Sequence, residues 1–224
     1  MASVETSTNG QLTRREATAQ RRREILRAAL ELFLRQGVEA TTMEQIRDAS
    51  GASVGSIYHL FRGKHELAHT LFVEGMRGYH DRVLAAVRRQ RTARGRIRAV
   101  VATHLQVTVE QPELALYLTR LAMAETEQEI ANESLHAYQS FCQDLYACLR
   151  PHIERGELED LPSELYFSLL VGPASHLARA WLRGRYRHDP LQAVETLARA
   201  AWQSLLPAQP RRMRPRSRRK ENAA

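Results

Sequence analysis

The sequence predicts an all-α protein in two parts, a small N-terminal unit of three helices and a larger helical unit behind it. Three observations carry this. Apolar residues recur at spacings of three and four along most of the 224 residues, the period of a helix face. The runs are separated by Gly, Pro and capping Ser or Thr, the residues that start and stop helices. The stretch from Thr41 to Lys64 reads as two short helices joined by a tight turn.

Met1 to Ala17 is rich in Ser, Thr and Asn and has no apolar period, so residues 1–17 are expected to form a mobile arm. From Thr18 onward, Ile25, Leu26, Ala29, Leu32 and Phe33 share one helical face, and Gly37 stops the helix. Arg21, Arg22 and Arg23 then fall at its start, where the helix dipole disfavours cations. A nearby phosphate or a solvated face would each account for them. Thr42 caps a second, amphipathic helix containing Ile46, Gly51 breaks it, and Ser53 caps a third. Val38, Ile46, Ile57 and Phe61 supply the apolar side chains that close the three helices on one another, giving a unit over residues 18–64.

Thr41 to Lys64 is a helix-turn-helix. In such a unit the second helix enters the DNA major groove while the first crosses the backbone, and Gly at the turn reverses the chain without a Cβ clash. Gly55 and Ser56 are small enough to approach a groove wall, Tyr58 and His59 can donate to phosphate oxygens, and Lys64 adds a point charge. Ile57 and Phe61, four apart, face the other way. The net charge of +8 sits at the two ends: residues 1–64 hold ten Arg/Lys against seven acids, 207–224 hold seven against one, and the middle is close to neutral. That distribution fits a DNA-binding end on a body with another task.

Lys64-His65-Glu66-Leu67 opens a long linking helix with Leu67, Leu71, Phe72, Met76, Tyr79, Val83, Leu84 and Val87 at helical spacing. Gly75 and Gly78 inside it cost about 1 kcal/mol each against Ala, which points to a bend or a close helix approach. The Arg-dense stretch Arg88 to Arg98 reads as a polar corner between helices, with a second DNA surface as the alternative. Ile97, Val101, His104, Leu105 and Thr108 share the next face, and Pro112 starts a short helix through Leu114, Leu118 and Leu121. Glu125 to Arg155 is acidic first and basic last, as the helix dipole prefers, with Tyr138, Phe141, Leu145 and Leu149 on one stripe and Pro151 kinking or shortening its end. The last two large helices, Pro162 to Gly184 and Pro190 to Leu206, are apolar almost all round. They have more apolar surface than residues 65–206 can cover alone, so a two-fold four-helix interface with a second copy is expected. Residues 207–224 are Pro- and Arg-rich without a period, hence a disordered basic tail that adds salt-sensitive DNA affinity or only solubility.

Cys142 and Cys148 lie six apart, about 600° of helical rotation, and so cannot bridge within one helix; both are read as reduced thiols. No run of eighteen apolar residues occurs and Met1 to Gly10 is polar, so neither a membrane span nor a secretory signal is expected and the location is cytoplasmic.

The segment from Arg22 to Leu71 resembles the DNA-binding domain of the tetracycline-repressor (TetR) family. The resemblance is carried by Ala28-Ala29-Leu30-Glu31-Leu32-Phe33 with Gly37, by Thr41-Thr42 with Ile46, and by Gly51-Ala52-Ser53-Val54-Gly55-Ser56-Ile57-Tyr58-His59-Leu60-Phe61 with Lys64, Glu66 and Leu67. It implies that Thr42 meets a phosphate, that Ser53, Val54, Gly55 and Ser56 open the recognition helix toward base edges, and that Tyr58, His59 and Lys64 grip the backbone. Arg47, Ser50, Ala52 and Leu60 depart from the family's usual residues, and Arg47 faces either DNA or solvent. Gly172-Pro173 followed by Trp181-Leu182-Arg183-Gly184 resembles a motif recurrent in the family's C-terminal domains. The resemblance also implies that the fourth helix transmits ligand occupancy and that the last two large helices form the dimer.

The expected function is a homodimeric transcriptional regulator, a repressor, that binds a palindromic double-stranded operator and leaves it when a small-molecule effector enters the C-terminal helical domain. His104, Tyr117, Met123, Tyr138, Phe141, His176 and Trp181 are candidate pocket walls, each equally readable as plain core. A non-specific basic nucleic-acid binder and a regulator without an effector are the alternatives. An enzyme is not expected: the nine His are scattered and neither a Gly-rich phosphate loop nor a Ser nucleophile elbow occurs. Metal ions and cofactors are not expected either.

Overall fold

The computed structural model describes residues 13–121 and 128–207, with side chains resuming at 135 in the second stretch. Among these residues every regular element is helical. Helix α1 spans Arg14–Ala40 and begins earlier than the sequence pattern suggests, because Thr13 and Glu16 form a reciprocal capping box: the Glu16 N–H donates to Thr13 Oγ1 (3.3 Å) and Thr13 N–H donates to the Glu16 carboxylate (2.7 Å). The arm expected over 1–17 therefore ends at the cap, and its first twelve residues lie outside the described ones. Arg21, Arg22 and Arg23 sit two turns inside the helix and not at its start, beyond the reach of the helix dipole there. At Gly37 the backbone turns to φ 83°, and the Thr41 hydroxyl donates to the Gly37 carbonyl (2.7 Å).

Helices α2 (Met43–Ser50) and α3 (Val54–Leu60) follow, capped by Thr42 and Ser53. Between them Gly51 adopts φ 66°, a left-handed conformation that side-chain-bearing residues avoid. Helix α4, Lys64–Arg88, leaves this unit and enters the next. The first core joins Ile25, Ala29 and Phe33 of α1 to Ile46, Ile57 and Phe61, and continues through Leu67, Leu71 and Phe72 of α4. Each of these side chains larger than alanine contributes about 1.5–3 kcal/mol by leaving water. Because α4 supplies so much of this core, a boundary at residue 64 cuts through it.

Helices α5 (Ala93–Glu110), α6 (Pro112–Leu121), α7 (Gln128–Glu154), α8 (Ser163–Leu182) and α9 (Val194–Ser204) build the second unit, with a 3-10 turn at Pro190–Ala193 opening α9. Helix α5 is central, touching α4, α6, α7, α8 and α9. Its buried Ile97, Val100, Val101 and Leu105 meet Leu145 and Leu149 of α7, Tyr166 and Leu170 of α8, and Ala198 of α9. Pro151 occupies the last turn of α7 and the helix ends at Glu154. The Arg-dense corner is shorter than expected: α5 already starts at Ala93, and the Arg96 guanidinium is turned inward onto the carbonyls of Gln90 and Cys148.

Gly75 of α4 faces α6 at close range. A Cβ there would lie 3.1–3.3 Å from methyl carbons of Leu114 and Leu118, whereas one at Gly78 would meet nothing within 4 Å. Helices α8 and α9 each bury one stripe and leave another uncovered: Leu165, Gly172 and His176 on α8, and Thr196, Ala200 and Gln203 on α9, are exposed. Both cysteines are free, Cys142 buried and Cys148 half-buried, and burial raises the Cys142 thiol above its ordinary range. No described helix is long and apolar enough to cross a membrane.

Candidate functional site

Helix α3 is held by Ile57 and Phe61, 1% and 3% exposed, and turns its other side out. Ser53, Val54, Gly55, Tyr58 and His59 are all exposed there. Val54 and Tyr58 are 52% and 55% exposed, adjacent apolar side chains that nothing in the subunit covers. Ser53 caps the helix through the Ser56 N–H (3.2 Å) and donates to Ser56 Oγ (2.9 Å). The Arg21 guanidinium reaches the same Ser56 Oγ (3.3 Å), which sets a cation from α1 beside the start of α3. Thr42 is exposed at the start of α2, its hydroxyl accepting the Gln45 N–H at 3.2 Å. The free N–H groups and positive dipole end at such a position favour an anion.

Other cations of this unit are committed internally. Lys64 Nζ donates to the Glu39 carbonyl (2.6 Å) and pairs with its carboxylate at 3.4 Å, so the outward phosphate contact expected of it competes with an existing bond. Arg47 pairs with Asp48 at 2.6 Å. Arg22 grips Glu74 of α4 with two hydrogen bonds, 2.7 and 2.9 Å, and stands over the Phe61 ring at 5.5 Å.

A cavity of about 400 Å³ lies between α4, α5, α6, α7 and α8, within the size range of small-molecule sites. Leu114, Ala115, Leu118, Val107, Val171 and Phe167 make most of its wall apolar. One polar chain crosses it: Tyr79 OH meets His104 Nδ1 at 2.9 Å, and His104 Nε2 meets Ser175 Oγ at 3.1 Å. Burial, with the nearby Arg179 charge second, holds His104 down to about 4, so the imidazole is neutral at pH 7. Burial also lowers His80 to about 4 and pushes the Tyr138 hydroxyl up to about 12.

Of the pocket residues expected from sequence, His104 and Tyr138 line the cavity. Tyr117 does not. It belongs to the first core, where its hydroxyl donates to the Ala68 carbonyl (3.1 Å) and its ring stacks on Phe33. Phe141 sits behind the wall in the second core, stacked on His80 with centroids 4.0 Å apart. His176, one residue past Ser175, is rotated to the exposed face of α8, and Trp181 likewise points away from the Ser175 and Arg179 face. Met123 lies outside the described residues. The sequence reading missed Tyr79, Ser175 and Arg179. A signal is present in the sequence: Ser175 and Arg179 are polar residues four apart, on one face of a helix whose second half is otherwise mostly apolar.

The scatter of His also conceals one pair. His65-Glu66-Leu67-Ala68-His69 has the His-Glu-x-x-His spacing of zinc hydrolases. It falls on the first two turns of α4, where Leu67 and Ala68 are core and Glu66 accepts the Arg62 N–H at 2.6 Å. Among the described residues no group of three His, Cys, Asp or Glu is placed to hold a metal ion.

Residues 25–71 match the family model for bacterial regulatory proteins of the tetR family. The HTH-type transcriptional repressor KstR2 of Rhodococcus jostii is 31% identical over 189 residues, 80% of this chain and 86% of that protein. The fatty acid metabolism regulator protein of Bacillus subtilis is 22% identical over 167 residues, 74% of this chain and 86% of that protein. Among solved structures, the fatty acid degradation regulator FadR of Bacillus halodurans superposes with a TM-score of 0.71 at 18% identity, covering 81% of this chain and 94% of its own. FadR of Bacillus subtilis in complex with stearoyl-CoA gives 0.68 at 21% identity, covering 82% and 98%.

Proposed function

The chain belongs to the tetR family of bacterial regulatory proteins and is a DNA-binding transcriptional regulator, and on that premise we propose that it is a repressor that grips a palindromic operator as a homodimer and releases it when an apolar metabolite fills the cavity. The observation that carries the DNA part is α3 itself, a helix of seven residues with Val54 at 52% and Tyr58 at 55% exposure. Ser53, Val54, Gly55 and Ser56 are assigned to base edges, and Thr42, Tyr58, His59 and Arg21 to phosphates. Lys64 contributes to the field and holds the head together. The uncovered stripes of α8 and α9 supply a self-complementary face for a second copy, which would set two α3 helices about one helical turn apart.

Helix α6 lies between cavity and head. Leu114 and Leu118 line the cavity, while Tyr117 reaches the first core and Arg120 donates to the Leu34 carbonyl of α1 at 2.8 Å. A ligand that displaces the two leucines therefore loads α1 directly. Reciprocity then requires that operator DNA weaken ligand binding by the same factor. That a fatty acid metabolism regulator is among the relatives and that FadR of Bacillus subtilis, of the same fold, is seen in complex with stearoyl-CoA supports an apolar effector.

The test is fluorescence anisotropy with the DNA upstream of the protein's own gene against a scrambled duplex, over a series of salt concentrations. Specific binding that Tyr58→Ala weakens without altering the melting temperature is expected. Equal affinity for both duplexes at every salt would instead mark a non-specific basic binder.

A further inference from the structure

Among the described residues three charged side chains line the cavity, and two are already answered. Glu74 is held by Arg22, and Arg82 is paired with Glu110 at 2.6 Å. Arg179 makes no ion pair among the described residues. It lies one helical turn past Ser175 on the same face of α8, so the guanidinium and the Tyr79–His104–Ser175 chain share one region of the wall.

The chain itself has a surplus. Two hydroxyls and a neutral imidazole carry three protons, and two hydrogen bonds consume two of them. Whichever tautomer His104 adopts, one O–H, of Tyr79 or of Ser175, is left to donate. One guanidinium and one O–H donor amid leucine, valine and phenylalanine is the complement of a single acid group on an apolar body. A phosphate dianion would have to draw Arg82 away from Glu110 to find a second cation, and a neutral head would leave Arg179 unanswered.

We propose, resting on the effector reading above, that the cavity selects an apolar monocarboxylate, with its carboxylate on Arg179 and the free O–H of the Tyr79–His104–Ser175 chain and its tail along Leu114 and Leu118. His104, held neutral by burial, does not compete for the anion. A coenzyme A thioester of the same acid presents a neutral carbonyl at this point and binds less well.

The full-length protein is titrated calorimetrically with a series of fatty acids from hexanoate to stearate, and with the matching primary alcohols and coenzyme A thioesters. The best acid should bind about tenfold tighter than its alcohol, the scale of a charge-assisted hydrogen bond. Arg179→Met should erase that preference while leaving alcohol affinity within about twofold, which also shows that the cavity is intact. Equal binding of acid and alcohol, a preference that survives Arg179→Met, or a thioester at least as tight as the acid overturns the carboxylate assignment. Absence of binding by all three series overturns it as well. The regulatory reading is decided separately, by the anisotropy experiment on DNA.

Discussion

The Arg22–Glu74 pair joins α1 of the DNA-binding unit to the cavity wall on α4, and its worth can be bounded. The side chains are 35% and 49% exposed, so water screens their attraction and the pair falls in the range of about 0.2–1 kcal/mol measured for surface ion pairs. The two-pronged geometry at 2.7 and 2.9 Å places it at the top of that range, about 1 kcal/mol. Arg22 also stands over Phe61, so Arg22→Met loses more than the pair alone. A double-mutant cycle of Arg22→Met and Glu74→Gln cancels that second loss and isolates the coupling. Urea denaturation should return a coupling energy of about 1 kcal/mol at low salt, falling by more than half in about 1 M NaCl, where the screening length is about 3 Å. The same energy caps the pair's share of effector-to-operator coupling at about fivefold. Single effects that simply add, or a coupling indifferent to salt, would refute this account of how the head is tied to the cavity.

Three further outcomes are expected. Gly51→Ala meets no steric neighbour but must hold φ 66°, so urea unfolding should show a loss of about 1 kcal/mol, and Gly51→Asn a smaller one. His104 binds its proton near pH 4 when folded, against 6.5 for an ordinary histidine. The unfolded chain thus takes up protons that the folded one refuses, and stability falls as pH drops from about 6.5 toward 4, by up to about 1.4 kcal/mol per pH unit; urea midpoints from pH 7 to pH 4.5 should show a shallower slope in His104→Phe. In Gly75→Ala the new methyl presses Leu114 and Leu118 into the cavity, so the melting temperature should change little, because the helix gains about 1 kcal/mol from alanine, while calorimetry should show the affinity of the best ligand falling about fourfold, one methylene's worth.

The helices could be read from the sequence where local chemistry fixes them. Thr42, Gly51 and Ser53 dictate the turn between α2 and α3 through caps and a left-handed glycine, all short-range effects. The start of α1 was legible too, in the Thr13 and Glu16 capping spacing, but a polar segment upstream masks it. The cavity was not legible in the same way. His104 and Tyr138 face it while Tyr117 and Phe141 do not, because which side of α6 or α7 looks inward depends on how these helices pack against α5, a long-range outcome that periodicity leaves open. Tyr117 illustrates the point: it has the spacing of a core residue, and only the tilt of α6 decides that its core is the N-terminal one. Ser175 and Arg179 stand out once α8 is seen as a wall of that cavity, since their apolar surroundings make two polar groups at one helical turn conspicuous.

Lys64 closes the N-terminal unit on itself. Its ammonium, at the first residue of α4, holds the carbonyl of Glu39 at the end of α1, so the chain leaves and re-enters the same fastening and α2 with α3 forms a loop pinned at its base. A loop secured this way resists swivelling on its stem. In the homodimer proposed above, the adjustment that lets the regulator fit or abandon a duplex would then come from the distance and tilt between the two heads, and a sequence that wanted a more forgiving grip on variant operators would first have to undo that pin.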